Sequence, residues 1–396
     1  MIGIALRMLV ADRAKFAGLV FGLAFTSFLV TFAAGFLSGF MTNGFSLIAE
    51  NADVDVWVMD PAVESVEKTT SLPLSALERV RGVDGVAQAY PLWLTNADAR
   101  FPNGAFQPFQ VIAVDDASLA GAPTGALDDP STLRTPGVAI VDAGGTSGKL
   151  QTPRFDRDRW PHDGAHLAVP TRELAAGDEL LVNGRLVRML ARSQTLPRFP
   201  PRPLLYMTRA TALATLPPEQ RPLTFVMVKA APGVNPADLA LRIADRTGLR
   251  ARSRADFKAD TVHWYLVNSE DVGDISAMLI LAMTMGLGVS GVMLYMFTHE
   301  SRRHYAVLKA IGAPPAMLAR MVIAQAGASV AVGAGIGLGA CGVAAIFAVR
   351  AGFPLRMLWF TPLVGLAGVL VVGIVAVAIS LRPVMKLEPG AVFSGV

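Results

Sequence analysis

The chain has 396 residues, 53% hydrophobic and 17% charged, with a net charge of +4 and a mean hydropathy of +0.46. Soluble domains carry about 25% charged residues, so an ordinary cytosolic protein is excluded; a single cysteine and the lack of low-complexity tracts exclude a disulfide scaffold and a disordered chain. The basic balance raises nucleic acid as a partner, and the placement of the charges removes it: 27 acidic and 24 basic residues lie between Glu50 and Asp271, while the rest holds 4 acidic and 11 basic ones, so no folded polar domain carries a basic footprint.

Residues 1–15 set Ile2, Ile4, Ala5, Leu6, Leu9 and Val10 among Arg7, Asp12, Arg13 and Lys15. This pattern predicts a cytoplasmic amphipathic entry helix, lying in the headgroup layer or forming the polar start of a span. Residues 16–49 carry no charge, which predicts a first transmembrane helix over 16–45. The run is longer than the core of a signal peptide, about 7–15 residues, and reads as a retained signal-anchor.

Residues 46–255 read as an α+β domain without βαβ alternation. Residues 53–58 alternate like a half-buried strand, 74–80 like a helix, 109–114 and 224–229 like strands. Asn183-Gly184 between residues 179–182 and 185–190 predicts a hairpin with a type I′ turn. Asn235-Pro236 opens a helix running to about Thr247. The stretch from Gly121 to Pro170, rich in Gly, Pro and Asp, reads as loop. Residues 256–274 read as a stalk helix feeding a second span at 275–298.

Residues 299–316 read as a short cytoplasmic helix, with Tyr305, Leu308, Lys309 and Ile311 projecting, Gly312 permitting the turn and Pro314-Pro315 stopping it. Such a helix docks in a groove of a partner or anchors at the interface. A third span at 317–349, a short periplasmic loop at 350–356, a fourth span at 357–381 and a cytoplasmic tail at 382–396 complete the chain. The fold class is therefore a membrane protein with four transmembrane α-helices and a large α+β periplasmic domain inserted between helices 1 and 2.

Orientation follows from Lys and Arg in the short loops. Arg7, Arg13 and Lys15 precede the first span; Arg302, Arg303, Lys309 and Arg320 separate the second from the third; Arg382 and Lys386 follow the fourth, against Arg350 and Arg356 alone on the other side. Both termini are expected in the cytoplasm and the inserted domain outside. Cys341 lies in the third span, so the outer domain has no disulfide, which fits a bacterial inner membrane. The pairs Gly18/Gly22 and Gly35/Gly39, with Gly333 and Gly337, let helices approach closely, within the chain or against a second copy. No ionisable residue sits near the middle of a span, which argues against ion-coupled transport.

Other chemistry fails on spacing. Residues 144–150, Gly-Gly-Thr-Ser-Gly-Lys-Leu, are one residue short of a P-loop and end in Leu. His299 and His304 are five apart, not the four of a zinc helix, and two arginines lie between them. His162 and His166 have the spacing but sit among Pro161 and Gly164 with no third ligand. Neither a catalytic set nor a cofactor or metal site can be picked out.

The segment Arg303, Ala306, Val307, Leu308, Lys309, Ala310, Ile311, Gly312 and Ala313 resembles the motif of ABC-transporter permeases of the group containing MacB, LolC, LolE, FtsX and DevC, with His304 in place of the usual Glu. Residues 381–392, Leu-Arg-Pro-Val-Met-Lys-Leu-Glu-Pro-Gly-Ala-Val, resemble that group's terminal motif, with Glu388 for Asp; residues 4–13 resemble its amphipathic entry. Residues 55–60 and the pairs Asp256-Phe257 and His263-Trp264 look most like the DevC branch.

The resemblance implies a permease subunit without its own ATPase. A separate ABC ATP-binding subunit, holding ATP and magnesium, would dock on a coupling helix made of Arg302, Arg303, His304, Tyr305, Val307, Leu308, Lys309, Ile311 and Gly312, with Leu308 entering an apolar groove. It further implies a second permease copy and, for an exporter, a periplasmic membrane-fusion adaptor and an outer-membrane channel. The substrate would be a lipid, lipoprotein, glycolipid or drug. The alternative is a non-transporting, FtsX-like transducer that activates a periplasmic partner such as a cell-wall hydrolase.

Overall fold

Each of the four charge-free runs forms a helix. In the computed structural model, which describes residues 2–220 and 223–385, four helices are long and apolar enough to cross a membrane: α2 (Arg13–Gly44), α8 (Glu270–Glu300), α10 (Pro315–Arg350) and α11 (Thr361–Met385, the span ending at Arg382), numbering helices along the chain. Two short helices belong with them, α1 (Ile2–Ala11) and α9 (Arg302–Ala310). The side chains of Ile2, Ile4, Leu6, Gln220, Arg302, Arg303, Pro383 and Val384 are not described, and most of the expected tail, residues 386–396 with Glu388, lies outside the described residues.

The membrane unit comprises the chain up to Phe40 and from Glu270 onward. Its central helix is α2, half of whose most apolar stretch is buried, against 28–33% for the other three. Small residues make this possible, because a backbone without a side chain lets the next helix approach. A Cβ on Gly286 of α8 would stand 1.9 Å from Thr26 Oγ1, one on Gly337 of α10 2.3 Å from the Ala24 carbonyl oxygen, and one on Gly365 of α11 1.8 Å from Thr31 Oγ1. The buried hydroxyls of Thr26 and Thr31 donate to the carbonyls of Gly22 and Ser27 in their own helix, which satisfies them without water. The entry helix α1 is distinct from α2 and breaks at Asp12; it rests on α10 through Ala5 and Leu9, both buried.

The inserted unit is Met41–Ser269. Its strands are β1 (Val56–Met59), β2 (Val86–Arg100), β3 (Phe106–Val114), β4 (Val138–Asp142), β5 (Gln151–Pro153), β6 (Thr171–Glu173), β7 (Glu179–Val182), β8 (Arg185–Ser193), β9 (Leu204–Thr208), β10 (Leu223–Ala230) and β11 (Arg250–Ser253). Its helices are α3 (Ser46–Glu50), α4 (Ser75–Arg81), α5 (Arg209–Thr215), α6 (Pro236–Thr247) and α7 (Arg254–Asn268). Nine strands form one mixed sheet in the order β11-β1-β10-β2-β3-β9-β4-β8-β7, and β5 pairs with β6 separately.

The long strand β2 organises that sheet. Its first half pairs with β10 and its second half with β3, while Ala99 and Arg100 also pair with Val182 and Leu181 of β7. The last pairing closes β2-β3-β9-β4-β8-β7 into a ring of six strands, which removes edges from that part of the sheet. The hairpin forms as expected, with Asn183 and Gly184 both at positive φ (48° and 76°), and so does α6, capped by the Asn235 side chain and ended by left-handed Gly248.

Three expectations differ. Residues 121–170 contain β4, whose five residues are all buried between β8 and β9, and which therefore lacks the alternation of a half-buried strand. Strands β9 and β11 also form, and neither stands out in the sequence. The stalk does not run unbroken into the second span: α7 ends at Asn268, Ser269 is extended (φ −89°, ψ 125°), and α8 begins with Glu270 and Asp271, acids favoured at a helix N-terminus.

Candidate functional site

The helix α9 joins α8 to α10. Gly312 ends it at φ 98°, a conformation that residues with a Cβ avoid, and Pro315 starts α10 at the position where proline is best tolerated. Its inner face is anchored in the membrane unit. Tyr305 and Ala306 are buried, and Tyr305 packs in a cluster with Ala5, Leu318, Met321 and Val322; Leu308 and Ala313 pack against that cluster. The outer face carries His304 and Val307, and the turn that follows carries Ile311 and Gly312, with Val307 44% and Ile311 79% exposed.

This divides the residues expected to project. Tyr305 points inward, and Leu308 is half-buried against the chain's own core, so neither forms an exposed docking surface. Lys309 is half-buried, and the side chains of Arg302 and Arg303 are outside the described residues. The inward turn of Tyr305 has a physical cause. A phenol has an apolar body and one polar end that needs a partner when buried, and Gln325 of α10 supplies it: Tyr305 Oη donates to Gln325 Oε1 at 3.0 Å. Burial pushes the Tyr305 phenol up, against the pull of that hydrogen bond.

The six glycines singled out for helix packing all meet other parts of the same chain. Gly18 and Gly22 face Met293 and Val289 of α8; Gly35 and Gly39 face the segment around Pro354 and Leu355; Gly333 and Gly337 face Leu23 and Ala24 of α2.

Residues 276–389 match the FtsX-like permease C-terminal family. The chain carries an FtsX-like permease domain. The chain is a multi-pass membrane protein with a large α+β domain inserted after its first span. Over 53% of its length the permease is similar to the periplasmic region of MacB from Actinobacillus actinomycetemcomitans, at 13% identity and a TM-score of 0.34, covering 92% of that chain. Over 50% it is similar to the extracellular domain of the ABC-type transporter YknZ from Gram-positive bacteria, at 11% identity and a TM-score of 0.31, covering 98% of that chain. Among curated proteins none matches it.

The inserted domain of the permease holds a buried charged joint that sequence reasoning missed. Arg198, on the segment between β8 and β9, is 5% exposed. Its Nη1 donates to Ser46 Oγ at 2.6 Å, and its Nη2 donates to Glu50 Oε2 at 2.6 Å and to Tyr206 Oη at 3.0 Å. The Leu196 amide donates to the other Glu50 oxygen at 2.6 Å. The next residue, Phe199, accepts at its carbonyl from Tyr265 Oη of α7 at 3.1 Å. Residues 198–199 thus bind both α3, which follows the first span, and α7, which precedes the second. Burial raises Glu50 above the usual carboxylate range, more than Arg198 and the Leu196 amide pull it down. Burial likewise pushes Tyr206 up to about 12, against Arg198. A cavity of about 540 Å³ opens beside the joint, lined by Glu50, Asn51, Gln194, Thr195, Tyr206 and the turn at Gly121–Ala126.

Among the described residues no three His, Cys, Asp or Glu side chains converge as metal ligands, and His166 contacts Asp163 at 3.0 Å.

Proposed function

We propose that the permease works with a separate ATP-binding subunit, which holds ATP and magnesium and docks on the outer face of α9. Both termini and α9 lie in the cytoplasm in this reading, and the inserted domain lies in the periplasm. Closure of the ATP-binding subunit displaces α9, and the membrane helices pass that displacement to the inserted domain, which acts on a lipid, lipoprotein, glycolipid or drug-like substrate. Two permease copies make up the membrane part. Because the glycines are used within the chain, pairing falls to exposed apolar side chains such as Phe21 and Phe25.

One observation carries the docking reading: Ile311 and Val307 remain exposed on a helix whose other face is already buried in its own chain. The most exposed apolar side chain of the segment, Ile311, stands beside a glycine turn, where a groove of a partner can accept it.

The test is Ile311→Asp in the full chain, co-expressed with its ATP-binding subunit. Placing a carboxylate in an apolar groove is strongly unfavourable, so the two subunits should cease to co-purify and stimulation of ATP hydrolysis should be lost. A complex that survives intact refutes the docking face. Ile311 is the better probe than Leu308, whose substitution also damages the chain's own packing.

A second reading, a signal transducer without transport, draws support from the glycine-packed bundle, whose described interior is filled by α2. Binding of a periplasmic cell-wall hydrolase supports that reading, and binding of a membrane-fusion adaptor supports export.

A further inference from the structure

Gln325 is the polar residue that the sequence gives least reason to notice. It lies within the apolar run of α10 and is fully buried. A primary amide in such surroundings is costly unless its donors and acceptor are used. Both ends of this one are used, by two different elements: Oε1 accepts from Tyr305 Oη of α9 at 3.0 Å, and Nε2 donates to the Ala5 carbonyl of α1 at 3.0 Å. The Ala5 side chain and the Tyr305 ring pack in one cluster with Leu318, Met321 and Val322 of α10. A second tie runs along the surface, where Lys15 at the start of α2 pairs with Asp12 after α1 at 2.6 Å and with Glu300 at the end of α8.

We propose that Gln325 is a positioning residue that locks the entry helix, α9 and the third span into one mechanical body. A nine-residue helix held only by its two loops would swing when pushed, and the displacement would be lost in the turn at Gly312. Bridged through Gln325, α9 cannot move without α10 and α1. The entry helix is then part of the transmission and not a float in the headgroup layer. Tyr305 is the lever that reaches the bridge, and Val307 and Ile311 are the surface that receives the push. The mechanical role rests on the docking reading; the bridge itself does not.

The test uses the full-length permease in lipid nanodiscs with two mild variants: Tyr305→Phe, which keeps the ring and loses the donor, and Gln325→Met, which keeps the shape and loses both bonds. Amide hydrogen exchange is followed in α1 and α9. Gln325→Met should speed exchange in both helices, by roughly tenfold for the loss of buried hydrogen bonds, and Tyr305→Phe should do so in α9. The double variant should exchange no faster than Gln325→Met alone, because both changes break the same bond. Unchanged exchange in α1 on Gln325→Met, or effects of the two changes that simply add, overturns the bridge.

In the complex with the ATP-binding subunit, both variants should still co-purify. They should lose most of the ATP-dependent change in exchange of the inserted domain, and a full ATP response in both overturns the positioning role. If Ile311→Asp leaves the complex intact while the exchange results hold, the docking reading fails and the bridge stands.

Discussion

Replacing Arg198 with methionine isolates the joint that ties the sheet of the inserted domain to α3 and α7, the helices at the two ends of its sequence. The change removes the only described partner cation of Glu50 within a salt-bridge distance and leaves a mostly buried carboxylate that still accepts from the Leu196 amide. Removing one partner of a buried ion pair costs about 3–5 kcal/mol, because the remaining charge has lost its solvent and its counter-charge. For a unit the size of Met41–Ser269, at roughly 2–4 °C per kcal/mol, the thermal midpoint should fall by about 10 °C. Intrinsic fluorescence is a suitable assay, since four of the five tryptophans (Trp57, Trp93, Trp160 and Trp264) lie in this unit. The double variant Glu50→Leu/Arg198→Met removes both charges. It loses only the hydrogen bonds to Ser46, Tyr206 and Leu196, about 1 kcal/mol each, so it should melt above the single variant. The raised pKa of Glu50 points the same way, since burial already disfavours its charged form. A double variant that melts as low as Arg198→Met would show that shape, and not the unpaired charge, sets the cost.

Two further predictions concern packing and pH. Gly39→Ala should destabilise the membrane unit by about 1–3 kcal/mol, because the new Cβ would stand 1.9 Å from the Pro354 carbonyl oxygen; Gly288→Ala, where nothing lies within 4 Å, should be neutral or slightly stabilising, and the two are compared by thermal aggregation in detergent. Asp178 sits under Arg172, with contacts at 2.6 and 2.7 Å, and accepts from the Ala175 amide; burial raises it, and these partners outweigh burial and hold it below the usual carboxylate range. Its contribution is therefore complete above the unfolded value, near pH 4, and is lost as pH falls through the lower folded value; Asp178→Asn should flatten the acid limb of the melting curve, and an unchanged limb would count against the assignment.

What the sequence made legible was what is encoded locally. Charge-free runs marked the spans because a charge in the hydrocarbon core is costly, and Asn183-Gly184 marked a turn because both residues accept positive φ. The missed strands owe their place to distant partners. Strand β9 pairs with β3, some ninety residues earlier, in parallel, and β4 pairs with β8 in parallel across the hairpin that joins β7 to β8. Such strands are buried on both faces and read as short apolar runs, which periodicity cannot assign. The joint at Arg198 was hidden for the same reason: Ser46, Glu50, Arg198 and Tyr265 are brought together only by the fold.

The helix α9 shows how this difference bears on function. Its nine residues place apolar side chains on every side, so the sequence does not indicate which of them packs inward. Tyr305 is the natural candidate for an exposed anchor on size and aromaticity, and the structure commits it to the interior through Gln325. In the docking proposed above, that commitment leaves Val307 and Ile311, the side chains the bundle leaves uncovered, to meet the partner. It also supplies what a coupling element needs beyond a contact surface. A push on Ile311 reaches a helix whose opposite face is keyed into the third span by a buried hydrogen bond and into the entry helix by a second one on the same amide. The polar pair inside the membrane unit fits the proposed mechanical role better than an ion path, since neither Tyr305 nor Gln325 carries charge and both ends of the Gln325 amide have a partner, in Tyr305 and in Ala5.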